Sequence, residues 1–146
     1  MTLMPEPSVN RSIQIAASRQ RVWRALIEPE SIARWMLNAK VTSTWKPGSE
    51  ISFIVEMPGH EGTFHDRGTV LAVEDEILLR YSHWSQASRL PDLPENRSMI
   101  AFTLDPFQGQ TLLTVHHDHF PNEASYKHAR FFWNYALHDL KTQLES

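Results

Sequence analysis

The sequence predicts an α+β fold in which an antiparallel sheet packs against one long C-terminal helix. Residues 122–144 carry apolar side chains at helical spacing, without an interrupting Gly or Pro. Residues 41–120 alternate apolar and polar side chains in short segments between turn residues, which is typical of strands. Two short helical segments separate these strands from a first strand at residues 9–15.

The C-terminal helix is the longest predicted element. Asn122 can cap its first turn, and Glu123 places a negative charge where the helix dipole favours one. Its apolar stripe covers about six turns of roughly 3.6 residues. The stripe consists of Tyr126, Ala129, Trp133, Ala136, Leu137, Leu140 and Leu144. Such a stripe needs a broad apolar surface, and the space between a curved sheet and this helix would be either core or cavity.

Pro, Gly and capping residues divide the rest of the chain. Ser18 fits the N-cap of a helix over residues 19–27, and Pro29 ends that helix and can begin a second one over residues 30–36. We expect a bulge at Gly68 and a loop at residues 86–96. The strands are predicted at residues 41–45, 51–57, 63–73, 77–84, 98–104 and 111–119, and the turns at 47–48, 58–59, 74–76 and 106–109.

Length and composition limit the class of protein. A chain of 146 residues suits one domain, which we expect at residues 9–146 behind a loose arm of residues 1–8. The net charge of −3 without a basic block argues against nucleic acid as a partner. The absence of cysteine excludes disulfides and thiolate metal sites. Since no signal pattern or membrane-spanning run is present, we predict a cytoplasmic protein that does not bind membranes.

Residues 13–35 contain a fairly specific motif. A strand ends near Ala16, followed by Val22-Trp23-x-Ala25-Leu26, an acidic-Pro-Glu step at residues 28–30, and Arg34-Trp35. This stretch resembles the opening of the SRPBCC (START-like) superfamily and, within it, the homologues of the activator of the Hsp-90 ATPase. The resemblance extends over about residues 9–145. Phe132 stands where that group frequently has Gly, which places a large ring beside the cavity-facing helix.

The resemblance implies a helix-grip fold, with a curled antiparallel sheet around the long helix and a cavity between them. It does not imply one function. The superfamily includes binders of apolar ligands, polyketide aromatase/cyclases and chaperone co-factors. We therefore keep three hypotheses. The first is non-enzymatic binding of a small apolar or aromatic ligand, the second a chaperone co-factor or stress-related interaction module, and the third a polyketide-cyclase-like or hydrolase enzyme.

Alternation within the strands identifies the residues that would face the helix. The inward faces are mainly apolar, with Tyr81, His83 and His117 as their polar members. A mainly apolar pocket with a few polar anchors is the usual form of a small-molecule site. Alternatively, these three side chains lie at the sheet rim and bond to water. The predicted ligand cavity consists of Trp35 at its mouth with Phe53, Tyr81, His83, Phe102, His117 and Trp133.

Other polar residues suggest no catalytic or metal site. His117 and His119 would share a face of a strand, but no third ligand is evident, so we predict no metal. Asp66 is in phase with Phe64 and is either an inward carboxylate or an edge charge beside Gly68. Phosphate-binding, dinucleotide-binding and nucleophile-elbow motifs are missing, so we predict no cofactor and assign no catalytic residue.

Two aromatic residues lie on the polar side of the predicted C-terminal helix. Phe131 and Tyr135 point roughly away from Trp133, at about 100° per residue. Exposed aromatic pairs indicate a contact surface, which predicts a homodimer through these residues. The alternative is that the loop at residues 86–96 or the N-terminal arm covers them.

Overall fold

The computed structural model describes residues 6–56 and 62–146. Its strands are β1 (Val9–Ile15), β2 (Lys40–Thr42), β3 (Glu50–Glu56), β4 (Thr63–Glu74), β5 (Leu78–Trp84), β6 (Ser98–Phe107) and β7 (Gln110–Asp118). Its helices are α1 (Arg19–Ile27), α2 (Pro29–Trp35) and α3 (Glu123–Glu145), with short 3₁₀ turns at Gln86–Ser88 and Pro94–Asn96. The predicted turn at residues 58–59 and most of the predicted arm lie outside the described residues.

The strands of this part of the chain form one antiparallel sheet, in the order β1-β7-β6-β5-β4-β3-β2. The sheet curves around α3, and the two short helices follow the first strand. The predicted helix-grip fold is therefore confirmed. Neither described range contains a helix that is long and apolar enough to cross a membrane.

Helices α1 and α2 begin and end where their capping residues require. The Ser18 hydroxyl accepts the Arg21 N–H at 3.2 Å and caps α1. Glu28 is extended, ends α1 and precedes Pro29, the first residue of α2. The Trp35 indole then donates to the Ala25 carbonyl at 2.8 Å, which ties the end of α2 to α1.

The C-terminal half of helix α3 packs beside β1, and its first half lines a cavity. The Asn122 side chain accepts the Ser125 N–H at 2.8 Å and caps the helix, as predicted. Its buried residues follow the predicted stripe: Ala129, Trp133, Ala136, Leu137, Leu140 and Leu144. Near the C-terminal end, Lys141 Nζ donates to the Gln14 carbonyl at 2.6 Å. The Glu145 carboxylate accepts the Ala16 N–H at 2.7 Å, which fixes this end beside β1.

The bulge in β4 lies at Leu71, three residues beyond the predicted position. Gly68 pairs in register with His83, and the register shifts between Val70 and Ala72. The prediction of a bulge at Gly68 is therefore wrong. A Cβ atom on Gly68 would lie 2.2 Å from the Ser82 carbonyl oxygen, so glycine is needed for the close approach of β4 and β5.

The β6–β7 turn is also tighter than predicted. Pro106 pairs with Thr111 inside the sheet, so the connection consists of Gln108 and Gly109 alone. Both residues have positive φ, 51° and 78° respectively. This backbone matches the twist of a two-residue hairpin, so both strands extend up to the turn.

Candidate functional site: a cavity between the sheet and helix α3

A cavity of about 460 Å³ lies between strands β3–β7 and the first half of α3. Met36, Leu37 and Ala39 close it from the end of α2, and the β5–β6 connection forms another part of its rim. Its lining is mainly apolar. The aromatic part of the lining consists of Phe53, Phe64, Tyr81, Phe120, Phe132 and Trp133.

Most of the predicted cavity residues meet at this cavity. Its wall includes Phe53, Tyr81, His83, His117 and Trp133. Phe102 instead lies in the layer behind, with its ring centroid 5.5 Å from that of Trp133. Trp35, expected at the cavity mouth, is 2 % exposed and packs edge-on against Phe102 at 6.4 Å. The placement of Trp35 at the mouth is therefore corrected, because its indole hydrogen bond to α1 holds the ring inside the core.

His117 is the centre of a buried hydrogen-bond network. The Trp133 indole N–H donates to His117 Nδ1 at 3.0 Å, and His117 Nε2 lies 2.8 Å from the Ser98 hydroxyl oxygen. An indole nitrogen can only donate, so Nδ1 must carry the lone pair and Nε2 the proton. Burial, followed by the nearby His83, lowers the pKa of His117 to about 3. The imidazole is therefore a neutral, oriented part of the wall.

Tyr81 has a different environment. It is 3 % exposed and lines the cavity. No hydrogen bond joins its hydroxyl to another group among residues 6–56 and 62–146. Burial raises the pKa of Tyr81, so the phenol stays protonated. The side chain can therefore offer both an O–H donor and an oxygen acceptor to a bound molecule.

Asp66 belongs to this cavity although the sequence left its direction open. Its Oδ2 lies 3.2 Å from His83 Nε2, and the two side chains are 15 % and 22 % exposed. Its Oδ1 accepts the Gln86 N–H at 3.1 Å, while the Gln86 side-chain oxygen accepts the His65 N–H at 2.7 Å. Of the two alternatives for Asp66, the structure therefore shows the inward carboxylate. The signal was the shared phase of Asp66 with Phe64, which also lines the cavity.

The helix and the loop before it add lining residues that strand alternation did not identify. Phe120, His128 and Phe132 all line the cavity. The His128 and Phe132 rings are stacked at 6.5 Å, and Phe132 contacts the Trp133 ring edge-on at 4.9 Å. His128 lies four residues before Phe132, so the two side chains are neighbours on one face of the helix. Because His128 is polar, the apolar pattern of the helix did not identify it as a lining residue.

The histidines at the end of β7 do not converge. His117 faces the cavity, whereas His119 follows the end of the strand with φ 59° and lies beside Asp118 Oδ1 at 2.8 Å. The left-handed residue breaks the alternation that would have placed both rings on one face. Within the described ranges, no group of three or more His, Asp or Glu side chains is arranged to hold a metal ion.

The sequence profile described as Activator of Hsp90 ATPase homolog 1-like protein matches residues 16–145. The chain belongs to this family. The matched residues run from just after β1 to the end of α3, so they include every element that lines the cavity.

Solved structures show the same fold. Protein ChR145 from Cytophaga hutchinsonii is 34% identical, with 97% of each chain covered and a TM-score of 0.80. The Aha1 dimer from Colwellia psychrerythraea is 22% identical, with 94% of this chain and 96% of that chain covered and a TM-score of 0.74. CalU16 from Micromonospora echinospora is 21% identical, with 92% and 74% covered and a TM-score of 0.70. No curated protein sequence matches this one.

Proposed function

We propose that this family member binds a small, mainly apolar or aromatic ligand in the cavity between the sheet and α3, without catalysing a reaction on it. The observation that carries the proposal is the open cavity of about 460 Å³. Small-molecule sites commonly have volumes of about 300–1,000 Å³ and mainly apolar walls with a few polar groups. Tyr81 and His117 are neutral polar groups of this kind.

The polar groups of the wall differ in what they leave for a ligand. Both nitrogens of His117 already have partners, Trp133 and Ser98. The Tyr81 hydroxyl has none in the described part of the chain and belongs to the cavity lining, so it can bond to a ligand as donor or acceptor. A ligand with one hydrogen-bonding group on an apolar body therefore fits this wall best.

The test is titration calorimetry with 2-naphthylmethanol, a neutral bicyclic aromatic alcohol. We expect saturable binding to the wild-type protein. Ala129→Leu should weaken binding about tenfold or more, equal to about 1.4 kcal/mol, because the added side chain enters the cavity. Lys127→Leu places the same apolar side chain on the exposed face of α3 and should leave the affinity unchanged.

Two results would contradict the proposal: no saturable binding to the wild-type protein, or equal affinity in Ala129→Leu. Circular dichroism checks that the variant is folded. Val55→Phe, which fills the cavity from β3 on the opposite side, provides an independent variant if Ala129→Leu is destabilised by overpacking.

Binding to a chaperone is the second candidate, as the family description suggests. Phe131, on α3, is 72 % exposed, and this observation favours a protein contact. An open cavity is unnecessary for such a role, so ligand binding takes first place. The test is the ATPase rate of an Hsp90 chaperone from the same source. We expect no stimulation, whereas stimulation that Phe131→Ser abolishes would make this candidate the function.

We also propose a homodimer through the same face. The Phe131 and Tyr135 rings form an edge-to-face pair at 6.0 Å, and the described loop at residues 86–96 leaves Phe131 exposed. The related protein from Colwellia psychrerythraea is described as a dimer. Because a two-fold interface uses the same patch on both copies, one aromatic pair per chain supplies both sides.

A further inference from the structure

A single carboxylate lies in the wall of the cavity. Among the described lining residues, Asp66 is the only Asp or Glu, and no Lys or Arg lines the cavity with it. The other titratable groups of the lining are Tyr81, His83, His117 and His128. The Asp66 side chain is 15 % exposed, so water screens its charge less than at the surface.

We infer that the preferred ligand is an aromatic amine, with its ammonium group beside Asp66 and its ring against the aromatic wall. The inference rests on the proposed binding function. A carboxylate has about four acceptor positions. Asp66 Oδ1 accepts one backbone N–H from Gln86, and Oδ2 lies 3.2 Å from His83 Nε2. The carboxylate therefore retains acceptor capacity for an ammonium group.

The aromatic residues around Asp66 favour the same charge. Phe53 pairs with Asp66 across strands β3 and β4, and Phe64 precedes it on the same face of β4. The faces of aromatic rings attract cations, most strongly where water is excluded. The carboxylate, with aromatic side chains beside it in the cavity wall, thus favours a cation over an anion.

The start of α3 is the feature that would favour an anion. The helix begins at this cavity, and its N-terminus carries the positive end of the helix dipole. The Asn122 side chain already accepts the Ser125 N–H, however, and Glu123 adds a negative charge in the first turn. An anionic ligand would also face Asp66 without a described Lys or Arg in the lining to pair with it.

The inference is tested with three bicyclic compounds of similar shape at pH 8: 2-naphthylmethylamine, 2-naphthylmethanol and 2-naphthoate. For the wild-type protein we expect the amine to bind about tenfold tighter than the alcohol, as for other close charge pairs, and the carboxylate to bind most weakly. In Asp66→Asn, which keeps the size and an acceptor oxygen, the amine and the alcohol should bind equally. Asp75→Asn changes the net charge equally in the exposed β4–β5 turn and should preserve the preference.

The outcomes separate the two proposals. If the alcohol binds and the amine binds no tighter, the charge preference is wrong and the proposed function stands. If the amine preference survives in Asp66→Asn, Asp66 is not the group that recognises the cation, and the inference is wrong. If none of the three compounds binds, the proposed function itself is contradicted. The comparison on the wild-type protein decides the charge preference even where the variant is unstable.

Discussion

At the scale of single residues, the wall of the cavity combines a polar group that is fully bonded with one that is free. His117 uses both ring nitrogens, one toward Trp133 and one toward Ser98. Tyr81 is also buried, but its hydroxyl faces the cavity and has no partner in the described ranges. Loss of a bonded group leaves its partner unsatisfied, whereas loss of a free group does not. The two residues should therefore respond differently to pH and to mutation.

His117 should make the protein less stable in mild acid. An unfolded histidine titrates near pH 6.5, while the folded imidazole stays neutral down to a pKa of about 3. Below about pH 6.5 the unfolded state therefore binds more protons, and stability falls by up to about 1.4 kcal/mol per pH unit. Urea unfolding between about pH 7 and pH 5, above the range where carboxylates titrate, measures this slope.

His117→Gln is the control for this slope. Glutamine retains one acceptor and one donor near the ring-nitrogen positions but does not titrate. The variant should lack the contribution of His117 to the slope, although its stability at neutral pH is lower. Equal slopes for the two proteins would show that His117 becomes protonated in the folded state.

Tyr81→Phe should leave the free energy of unfolding within about 0.5 kcal/mol of the wild-type value, or raise it, because the removed hydroxyl has no partner to lose. Ser98→Ala also removes one oxygen and should cost about 1–3 kcal/mol, because the His117 Nε2–H then lacks its acceptor. Chemical denaturation measures both values. A loss in Tyr81→Phe as large as that in Ser98→Ala would mean that the phenol is already bonded in the free protein.

At the scale of elements, strands β4 and β5 approach so closely at Gly68 that only glycine fits. Gly68→Ala should cost about 3 kcal/mol, because the new methyl group meets the Ser82 backbone carbonyl rather than a movable side chain. Gly109→Ala meets no atom within 4 Å and strains only the left-handed backbone, at about 1–2 kcal/mol. Thermal unfolding compares the two. Equal losses would show that the sheet separates at Gly68 without significant cost.

The elements that the sequence predicted well are those with local signals. The stripe and the cap define α3, and Ser18 and Pro29 define α1 and α2, because each signal lies within a few residues of the element that it controls. The role of Gly68 depends on the Ser82 carbonyl, which lies on another strand and comes too close for a side chain. A glycine in a strand indicates either a bulge or a close approach, and the sequence alone does not distinguish them.

The site was predictable to a similar degree. Alternation placed Tyr81, His83 and His117 on the inner faces of their strands. It could not show that the indole of Trp35 bonds to α1, which removes this ring from the cavity mouth. Nor could it show that Gln86 reaches back to Asp66 from the next connection. Such contacts join segments far apart in the chain, so a periodic pattern carries no signal for them.

At the scale of the whole molecule, α3 is anchored at one end and faces the cavity at the other. Lys141 and Glu145 bond to the backbone of β1 and the residue after it. Arg21 of α1 donates to the Leu144 carbonyl at 2.8 Å. The first half of the helix carries the cavity-lining Ala129 and Trp133 instead. The anchored half therefore fixes the position of the half that contacts a ligand.

The outer side of α3 should control oligomeric state. In sedimentation velocity we expect the wild-type protein to be a dimer and Phe131→Ser with Tyr135→Ser to be a monomer, because the double variant removes the aromatic pair. Ile77→Ser removes an exposed apolar side chain from the β4–β5 turn instead of from α3, and this variant should remain dimeric. A monomeric wild-type protein, or a double variant that is still dimeric, would contradict this interface.

The most direct test of ligand binding in the cavity is an NMR titration that follows the tryptophan indole N–H signals. Trp133 lines the cavity, whereas Trp23 is buried on α1 outside its lining. As 2-naphthylmethanol is added, the Trp133 signal should shift to a saturating value while the Trp23 signal stays in place. A Trp133 signal that does not change while the compound binds, or equal shifts at both indoles, would contradict a ligand site between the sheet and α3.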